Sequence, residues 1–313
     1  MEVEQNVHEH NNRKLANQFA EYITGEELRK YTARKIHQYV GAHPTVFDGA
    51  IGSGQLEQFV EPSFVTGVEL QKSACKTFEM NQELFPNRNI HNMSFFTFKD
   101  EVVADCVVMN PPFSIKFKEL SDEEQSNIQE EFPWKKSGVV DDVFVLKSLK
   151  HTSRYGFYIL FPGVGYRKTE TMFRTLIGNQ LQELNVIKNA FEDTSINVLF
   201  LVIDKNKTSQ CCKRELYDCK VKKVVVEDEW EILERWETIT EEVETEEVDI
   251  DAVNASLDRS ALSHLQNHLE YNLLLIQKFK APIDYLGFIN KCYALLDQYS
   301  LEYQFNVPII KGG

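Results

Sequence analysis

The chain of 313 residues carries a formal net charge of −14, and 42% of its residues are hydrophobic. This length accommodates one large domain with a smaller one, or one elaborated domain, of ordinary globular composition. The acidic balance argues against strong unaided binding to nucleic acid, which usually requires a basic face. No apolar run reaches the roughly 18–20 residues that span a bilayer, which excludes a transmembrane helix.

The predicted elements begin with a helix over residues 15–40, where apolar residues recur at helical spacing. A short strand then ends at Asp48, a glycine-rich turn follows, and QLEQFV is expected to begin the next helix. The alternation continues with a strand at FVTGVEL, a helix at QKSACKTFEMNQEL, a strand within PNRNIHNMSFF and a strand at ADCVVM. This order predicts a parallel sheet with helices on both faces.

The second half is less regular. A charged segment of about 25 residues after Phe113 is expected to be a loop, and loops of that length are usually functional or mobile. Beyond it we predict a helix at VVDDVFVLKSLKH, a strand at YGFYILF, a helix at TMFRTLIGNQ and closing strands at LNVIKNAF and INVLFLVID. A possible strand pair lies in KKVVVEDEWEIL, and residues 255–300 are expected to be helical. We place a domain boundary after residue 206.

Six cysteines are scattered along the chain, and the N-terminal segment MEVEQNVHEHNNRK lacks the apolar core of a secretory signal. We therefore expect free thiols and a cytoplasmic location. Cys211, Cys212 and Cys219 fit no zinc-binding spacing, so no metal is expected.

The first candidate site is Asp48-Gly49-Ala50-Ile51-Gly52-Ser53-Gly54, between a strand and an expected helix. Glycines there allow the backbone to approach a ligand closely, and Glu69 ends the next strand, where a carboxylate can accept both hydroxyls of a ribose. A third glycine for a pyrophosphate is missing. The pattern favours a nucleoside without a diphosphate, such as S-adenosylmethionine, although a structural turn with a surface glutamate remains an alternative.

The second candidate site is Asn110-Pro111-Pro112-Phe113, which follows the strand ADCVVM. Proline fixes its own φ and cannot donate to a sheet, so the tetrapeptide lies beyond the strand end. It is either a loop that merely ends the strand or a stiff platform that directs an amide and a ring at a ligand.

Together, the two sites resemble those of N6-adenine DNA methyltransferases, and most closely the modification subunits of type I restriction–modification systems. Asn-Pro-Pro-Phe, VFDGAIGSGQL, NQFAEYITGEELRKYTARKI and NVIKNAFEDTSINVLFLVIDKNK carry the resemblance, in the order cofactor motif first and catalytic motif second. It implies an α/β, Rossmann-like S-adenosylmethionine-dependent methyltransferase fold with a seven-stranded, mostly parallel sheet. Residues 1–206 would form the catalytic domain. Residues 207–313 would form an acidic linker and a mixed or helical C-terminal extension that docks a partner.

The resemblance also implies residue roles. The catalytic residues would be Asn110, Pro111, Pro112 and Phe113. The residues that bind S-adenosylmethionine would be Thr24, Asp48, Ala50, Gly52, Gly54, Glu69, Ser94 and Asn110. The family generally has an acidic residue after the third strand, which accepts from the cofactor's adenine N6. Here Asn92 or Ser94 stands in its place, so the sequence leaves that contact without a carboxylate.

The implied activity is transfer of a methyl group to the N6 amine of an adenine in DNA, flipped out of the duplex. A specificity subunit or another partner subunit would assist, and no membrane is involved. Two alternatives stay open at this point. One is methylation of an RNA adenine or a protein glutamine, and the other is a non-catalytic cofactor-binding subunit of a larger complex.

Overall fold

A computed structural model of the protein describes residues 24–191, 196–241, 249–280, 282 and 284–298. The contacts divide the chain into two compact units, Met1–Glu241 and Glu242–Gly313. This division falls later than the boundary expected after residue 206. The reason is that the chain returns to the sheet after that point and adds two more strands to it.

The first unit contains nine strands and five helices among its described residues. The strands are β1 (Thr45–Asp48), β2 (Phe64–Glu69), β3 (Arg88–Asn92), β4 (Ala104–Met109), β5 (Thr152–Leu160), β6 (Leu181–Lys188), β7 (Val198–Asp204), β8 (Cys211–Asp218) and β9 (Lys223–Glu231). The helices are α1 (Glu26–Tyr39), α2 (Lys72–Met80), α3 (Asp122–Glu131), α4 (Asp141–Ser148) and α5 (Thr171–Ile177).

All nine strands form one sheet in the order β3-β2-β1-β4-β5-β7-β6-β8-β9. Strands β1 to β5 pair in parallel, whereas β7 is antiparallel to both β5 and β6. The strand order reverses direction at β1, between β2 and β4, and ligands of open α/β sheets bind at such a switch point. The predicted Rossmann-like α/β fold is confirmed.

The edge formed by β8 and β9 corrects one prediction. The segment KKVVVEDEWEIL was expected to hold a strand pair, but it supplies the single strand β9, whose antiparallel partner is β8. Strand β8 pairs in parallel with β6 and so joins the hairpin to the sheet. Nine strands therefore replace the expected seven.

Two helix predictions also differ from the structure. QLEQFV forms a series of turns instead of a helix, with Val60 N–H donating to the Glu57 carbonyl. The segment after Phe113 contains helix α3, which begins with a capping box in which Ser121 and Glu124 bond each other's backbone N–H groups. The predicted helix over 15–40 lies partly outside the described residues, and its described part is α1.

The central strands β1, β4 and β7 are buried almost throughout, so both faces of the sheet are covered there. Successive residues of β4 alternate between two apolar clusters, with Cys106 and Val108 in one and Val107 and Met109 in the other. Near-continuous apolar strands of this kind are typical of parallel sheets covered by helices on each side.

The second unit contains α6 (Ile250–Phe279) and α7 (Tyr285–Gln298), so the described residues between 255 and 298 are mostly helical, as expected. A small apolar cluster within this unit comprises Leu269, Cys292 and Leu296. In the described part of the chain, every helix is too short or too polar to cross a lipid bilayer.

Candidate active site

A cleft lies at the carboxyl ends of the parallel strands and brings the two candidate motifs together. Asn110 follows β4, Asp48 ends β1 and Glu69 ends β2, so the three polar side chains come from adjacent strands. The cleft is lined by Thr24, Asp48, Gly49, Ala50, Ile51, Gly52, Ser53, Gln55, Leu56, Glu69, Leu70, Gln71, Ser94, Phe95, Phe96, Asn110, Pro111, Pro112, Phe113, Glu124 and Phe144. Every residue predicted for the site is present except Gly54.

The Asn110 side chain is oriented by one hydrogen bond. Its Nδ2 donates to Thr24 Oγ1 at 2.9 Å. Its Oδ1 is buried and has no hydrogen-bond partner among the described residues. A buried acceptor without a donor carries a desolvation cost of about 1–3 kcal/mol, so it is a strong candidate to receive a hydrogen bond from a ligand.

Phe113 also lines the cleft, and its ring centroid lies 6.2 Å from that of Phe191 in an edge-to-face arrangement. The backbone turns sharply at the next residue, because Ser114 has a φ of +61°. The fully buried Asp141, at the start of α4, holds this turn, with its Oδ1 accepting from Ser114 N–H at 2.9 Å. Burial raises the pKa of Asp141 to about 6, and the Ser114 hydrogen bond and the charge of Arg167 oppose that rise.

The glycine turn presents backbone to the cleft at Gly52. This residue has a φ of +57°, and a Cβ built on it would meet no atom within 4 Å, so the space before it is open. Glu69 is fixed beside it, because its two carboxylate oxygens accept from Gly52 N–H at 3.0 Å and from Gln71 N–H at 2.6 Å.

Gly54 has a different environment from the one predicted. Its φ is +80°, and a Cβ there would lie 2.6 Å from the Phe78 ring. Its described neighbours are core rings, so the structure gives Gly54 a role in packing the turn against α2.

Asp48 lies under the turn beside a second buried carboxyl group. Its Oδ1 accepts from Ala50 N–H at 2.7 Å, and burial raises its pKa to about 7. Burial and the charge of Asp48 raise the pKa of Glu57 well above its ordinary value. When both are ionised, the Glu57 oxygens have no donor among the described residues. A proton on Glu57 supplies a donor to Asp48, so the pair is stable when it shares one proton.

Ser94 lines the cleft beyond the end of β3, whereas Asn92 uses its amide to donate to the backbone carbonyls of Glu69 and Leu70. Ser94 Oγ donates to the carboxylate of Glu124, which belongs to α3 and also lines the cleft. Sequence reasoning missed Glu124. The available signal was the pattern Ser121-Asp122-Glu123-Glu124, which marks a helix start within the expected loop.

The described residues contain no group of three or more His, Cys, Asp or Glu side chains that could hold a metal ion.

A model of the family described as N-6 DNA Methylase matches residues 6–259. The structure resembles the type I restriction-modification methyltransferase subunit from Streptococcus thermophilus (23% identity, TM-score 0.54, 65% of this chain and 50% of that chain). It also resembles a subunit described as the modification subunit of a type I restriction enzyme from Vibrio vulnificus YJ016 (14% identity, TM-score 0.52, 67% and 52%).

A third similar structure is a Listeria monocytogenes protein described as a class I S-adenosylmethionine-dependent methyltransferase (12% identity, TM-score 0.53, 63% of this chain and 65% of that chain). At these identities the structural matches show the shared fold. The chain spans about half the length of the two type I subunits.

Proposed function

The chain belongs to the N-6 DNA methylase family, and from that membership we propose that it transfers a methyl group from S-adenosylmethionine to the N6 amine of adenine in DNA. The observation that carries the proposal is Asn110 Oδ1, which has no hydrogen-bond partner in the described part of the chain and lies in a cleft with the features of a nucleoside site. An exocyclic amine is a hydrogen-bond donor that matches this acceptor.

The residues of the cleft fit S-adenosylmethionine. Glu69 is held by two backbone N–H groups at the end of β2, the position at which a carboxylate accepts ribose hydroxyls in open α/β sheets. The open space before Gly52 admits a ligand close to the backbone. Thr24 and Asp48 lie toward the Asn110 side, where the methionine portion would be held. When bound, the cofactor would supply an electrophilic methyl group on a sulfonium, and the neutral thioether S-adenosylhomocysteine would be the leaving group.

The chain's own contribution is the orientation of the amine. The N6 lone pair of adenine is delocalised into the ring, which makes the nitrogen a poor nucleophile. Asn110 Oδ1 and the carbonyl of Pro111 can each accept one N6 hydrogen, which favours a more tetrahedral nitrogen with its lone pair directed at the methyl group. The prolines keep both acceptors fixed, so the increase in the rate of methyl transfer comes from preorganisation.

Phe113 would stack on the target base, which cannot be reached inside a duplex and has to be flipped out. The Asp141 contact to Ser114 supports this role, because it fixes the backbone that immediately follows the ring.

The partners belong to the same proposal. A net charge of −14 opposes DNA binding by the chain alone, and the similar type I subunits are parts of restriction–modification systems. We therefore expect a specificity subunit or another basic partner to deliver the DNA. That the C-terminal part of the chain docks a partner remains part of this proposal.

The test uses Asn110→Ala in the full chain. Transfer of label from S-adenosylmethionine to DNA should fall by about 10²–10³-fold, the loss typical of one preorganised hydrogen-bonding group. Affinity for S-adenosylhomocysteine should stay nearly unchanged. Near-wild-type transfer by the variant would refute the role of Asn110.

Parallel reactions with RNA and with protein as acceptors distinguish the alternatives. Label in RNA or in a glutamine side chain, with unlabelled DNA, would contradict the proposed substrate. Absence of transfer to every acceptor, with cofactor binding intact and partner subunits present, would indicate a non-catalytic subunit.

A further inference from the structure

The order of the strands gives the cleft a direction. From Asn110 after β4, the carboxyl edge passes Asp48 on β1 and Glu69 on β2 before it reaches Ser94 beyond β3. Neighbouring strands lie about 4.8 Å apart, so these three intervals span roughly 14 Å. A ligand whose reactive end lies at Asn110 and whose ribose lies at Glu69 therefore has its base over the end of β3.

Glu124 is the charged group at that end of the cleft. Its carboxylate comes from α3, outside the strand edge that supplies the other polar residues. Ser94 Oγ donates to one carboxylate oxygen, and Ser121 donates to the other through its N–H at 2.9 Å and its Oγ at 2.8 Å. Held from both sides, the carboxylate is fixed in place before any ligand binds.

The walls around Glu124 suit a planar base. Phe96 and Phe144 have ring centroids 4.6 Å apart, and Phe95 stacks on Phe144 at 5.8 Å with an interplanar angle of 9°. All three rings line the cleft together with Glu124. The carboxylate is thus an acceptor at the rim of an aromatic wall, where it can take hydrogen bonds from an amine on the edge of a base.

We propose that Glu124 accepts a hydrogen bond from the N6 amine of the cofactor's adenine and so selects adenosyl over other nucleosyl ligands. The inference rests on the proposed function, because it requires the methyl donor to lie with its reactive end at Asn110. Ser94, at the position predicted from sequence to contact the adenine, acts as a positioning residue that orients Glu124.

Adenine and hypoxanthine differ in a way that tests this contact. Adenine offers an N6 donor, whereas hypoxanthine has an O6 acceptor at the same place, and a carboxylate repels that oxygen. A site built for a specific hydrogen bond discriminates strongly against an analogue that lacks it. The probes are S-adenosylhomocysteine and S-inosylhomocysteine, titrated calorimetrically into the full chain.

The variant is Glu124→Gln. Glutamine also serves in capping boxes, so α3 retains its N-terminal bonds. We expect the affinity for S-adenosylhomocysteine to fall about tenfold or more, because a charged acceptor is replaced by a neutral one. The affinity for S-inosylhomocysteine should stay equal or rise, since the glutamine amide can donate to O6. The control, Glu123→Gln, removes an equal charge from the same turn and should change neither affinity.

Ser94→Ala provides a second variant that leaves the helix start intact. It removes the hydroxyl that donates to Glu124. The preference for S-adenosylhomocysteine over S-inosylhomocysteine should therefore fall, by a smaller factor than in Glu124→Gln.

The outcomes separate the two proposals. If Glu124→Gln lowers the affinity for both ligands equally, or changes neither affinity, the role of Glu124 is overturned while the proposed function stays intact. If the wild-type chain binds neither ligand, with or without its partner subunits, the proposed function fails and this inference fails with it.

Discussion

Replacement of Thr24 by valine tests how the Asn110 amide is oriented. The two residues are nearly isosteric, and Thr24 is 5% exposed, so the substitution removes one hydroxyl group and leaves the packing in place. In the native protein that hydroxyl accepts from Asn110 Nδ2 at 2.9 Å, and Asn110 Oδ1 has no hydrogen-bond partner among the described residues. Without the hydroxyl, the amide loses the hydrogen bond that fixes its side-chain torsion.

The size of the rate loss follows from the strength of a neutral hydrogen bond. A neutral hydrogen bond contributes about 0.5–1.5 kcal/mol net, and about 1.4 kcal/mol corresponds to a factor of ten. The rate of methyl transfer by Thr24→Val should therefore fall about 2- to 12-fold. This is a much smaller loss than the one expected for Asn110→Ala, because Oδ1 is still present but is less often in the productive orientation.

The assay is single-turnover transfer of labelled methyl groups at saturating S-adenosylmethionine, with cofactor affinity measured separately by calorimetry. Thr24 is also expected to contact the methionine portion, and saturation removes any effect on binding from the measured rate. Thr24→Ser keeps the hydroxyl and should retain the wild-type rate. An unchanged rate in Thr24→Val, or an equal loss in Thr24→Ser, would refute this account of how Asn110 is oriented.

Two further predictions concern stability. Asp141→Ala should lower the free energy of unfolding in urea by about 2–3 kcal/mol, because the Ser114 N–H loses a charged, buried acceptor. Asp141→Asn should cost about half as much, and an equal cost would mean that the charge facing Arg167 matters more than the hydrogen bond. For the carboxyl pair, burial raises the folded-state pKa of Asp48 to about 7, so between about pH 4 and pH 7 the folded protein binds more protons than the unfolded chain. The free energy of unfolding should therefore fall as pH rises through that window, by an amount on the order of a few kcal/mol. Glu57→Gln should flatten the decline, and parallel pH profiles for variant and wild type would contradict the shared proton.

Local patterns were sufficient to predict most of the sheet. Strand β4 has the predicted bounds, because six residues of buried character stop at an asparagine and two prolines that cannot continue a ladder. The helices α2, α4 and α5 lie within the predicted segments for similar reasons. The helix predicted at QLEQFV is wrong, because Leu56 and Val60 pack into a core cluster from a series of turns.

The sequence predicted Asp48, Glu69, Ser94 and Asn110 at the site and missed other polar residues that line the cleft, among them Glu124. Asn110 and Glu69 stand directly after or at the end of strands, and parallel strands bring such positions to one edge whatever the rest of the chain does. Gly54 was misplaced because a glycine required for a positive φ and close ring packing looks the same in sequence as one required by a ligand.

The sequence by itself determined the strand–helix alternation, the motif order and the chemical groups that end β1, β2 and β4. Those features depend on residue type and short-range geometry. Only the tertiary structure decided where Glu124 lies, since it is 30 residues from Ser94 along the chain and reaches the cleft through the packing of α3 beyond the end of β3. The sequence has no carboxylate directly after the third strand, and Glu124 supplies one to the cleft from α3.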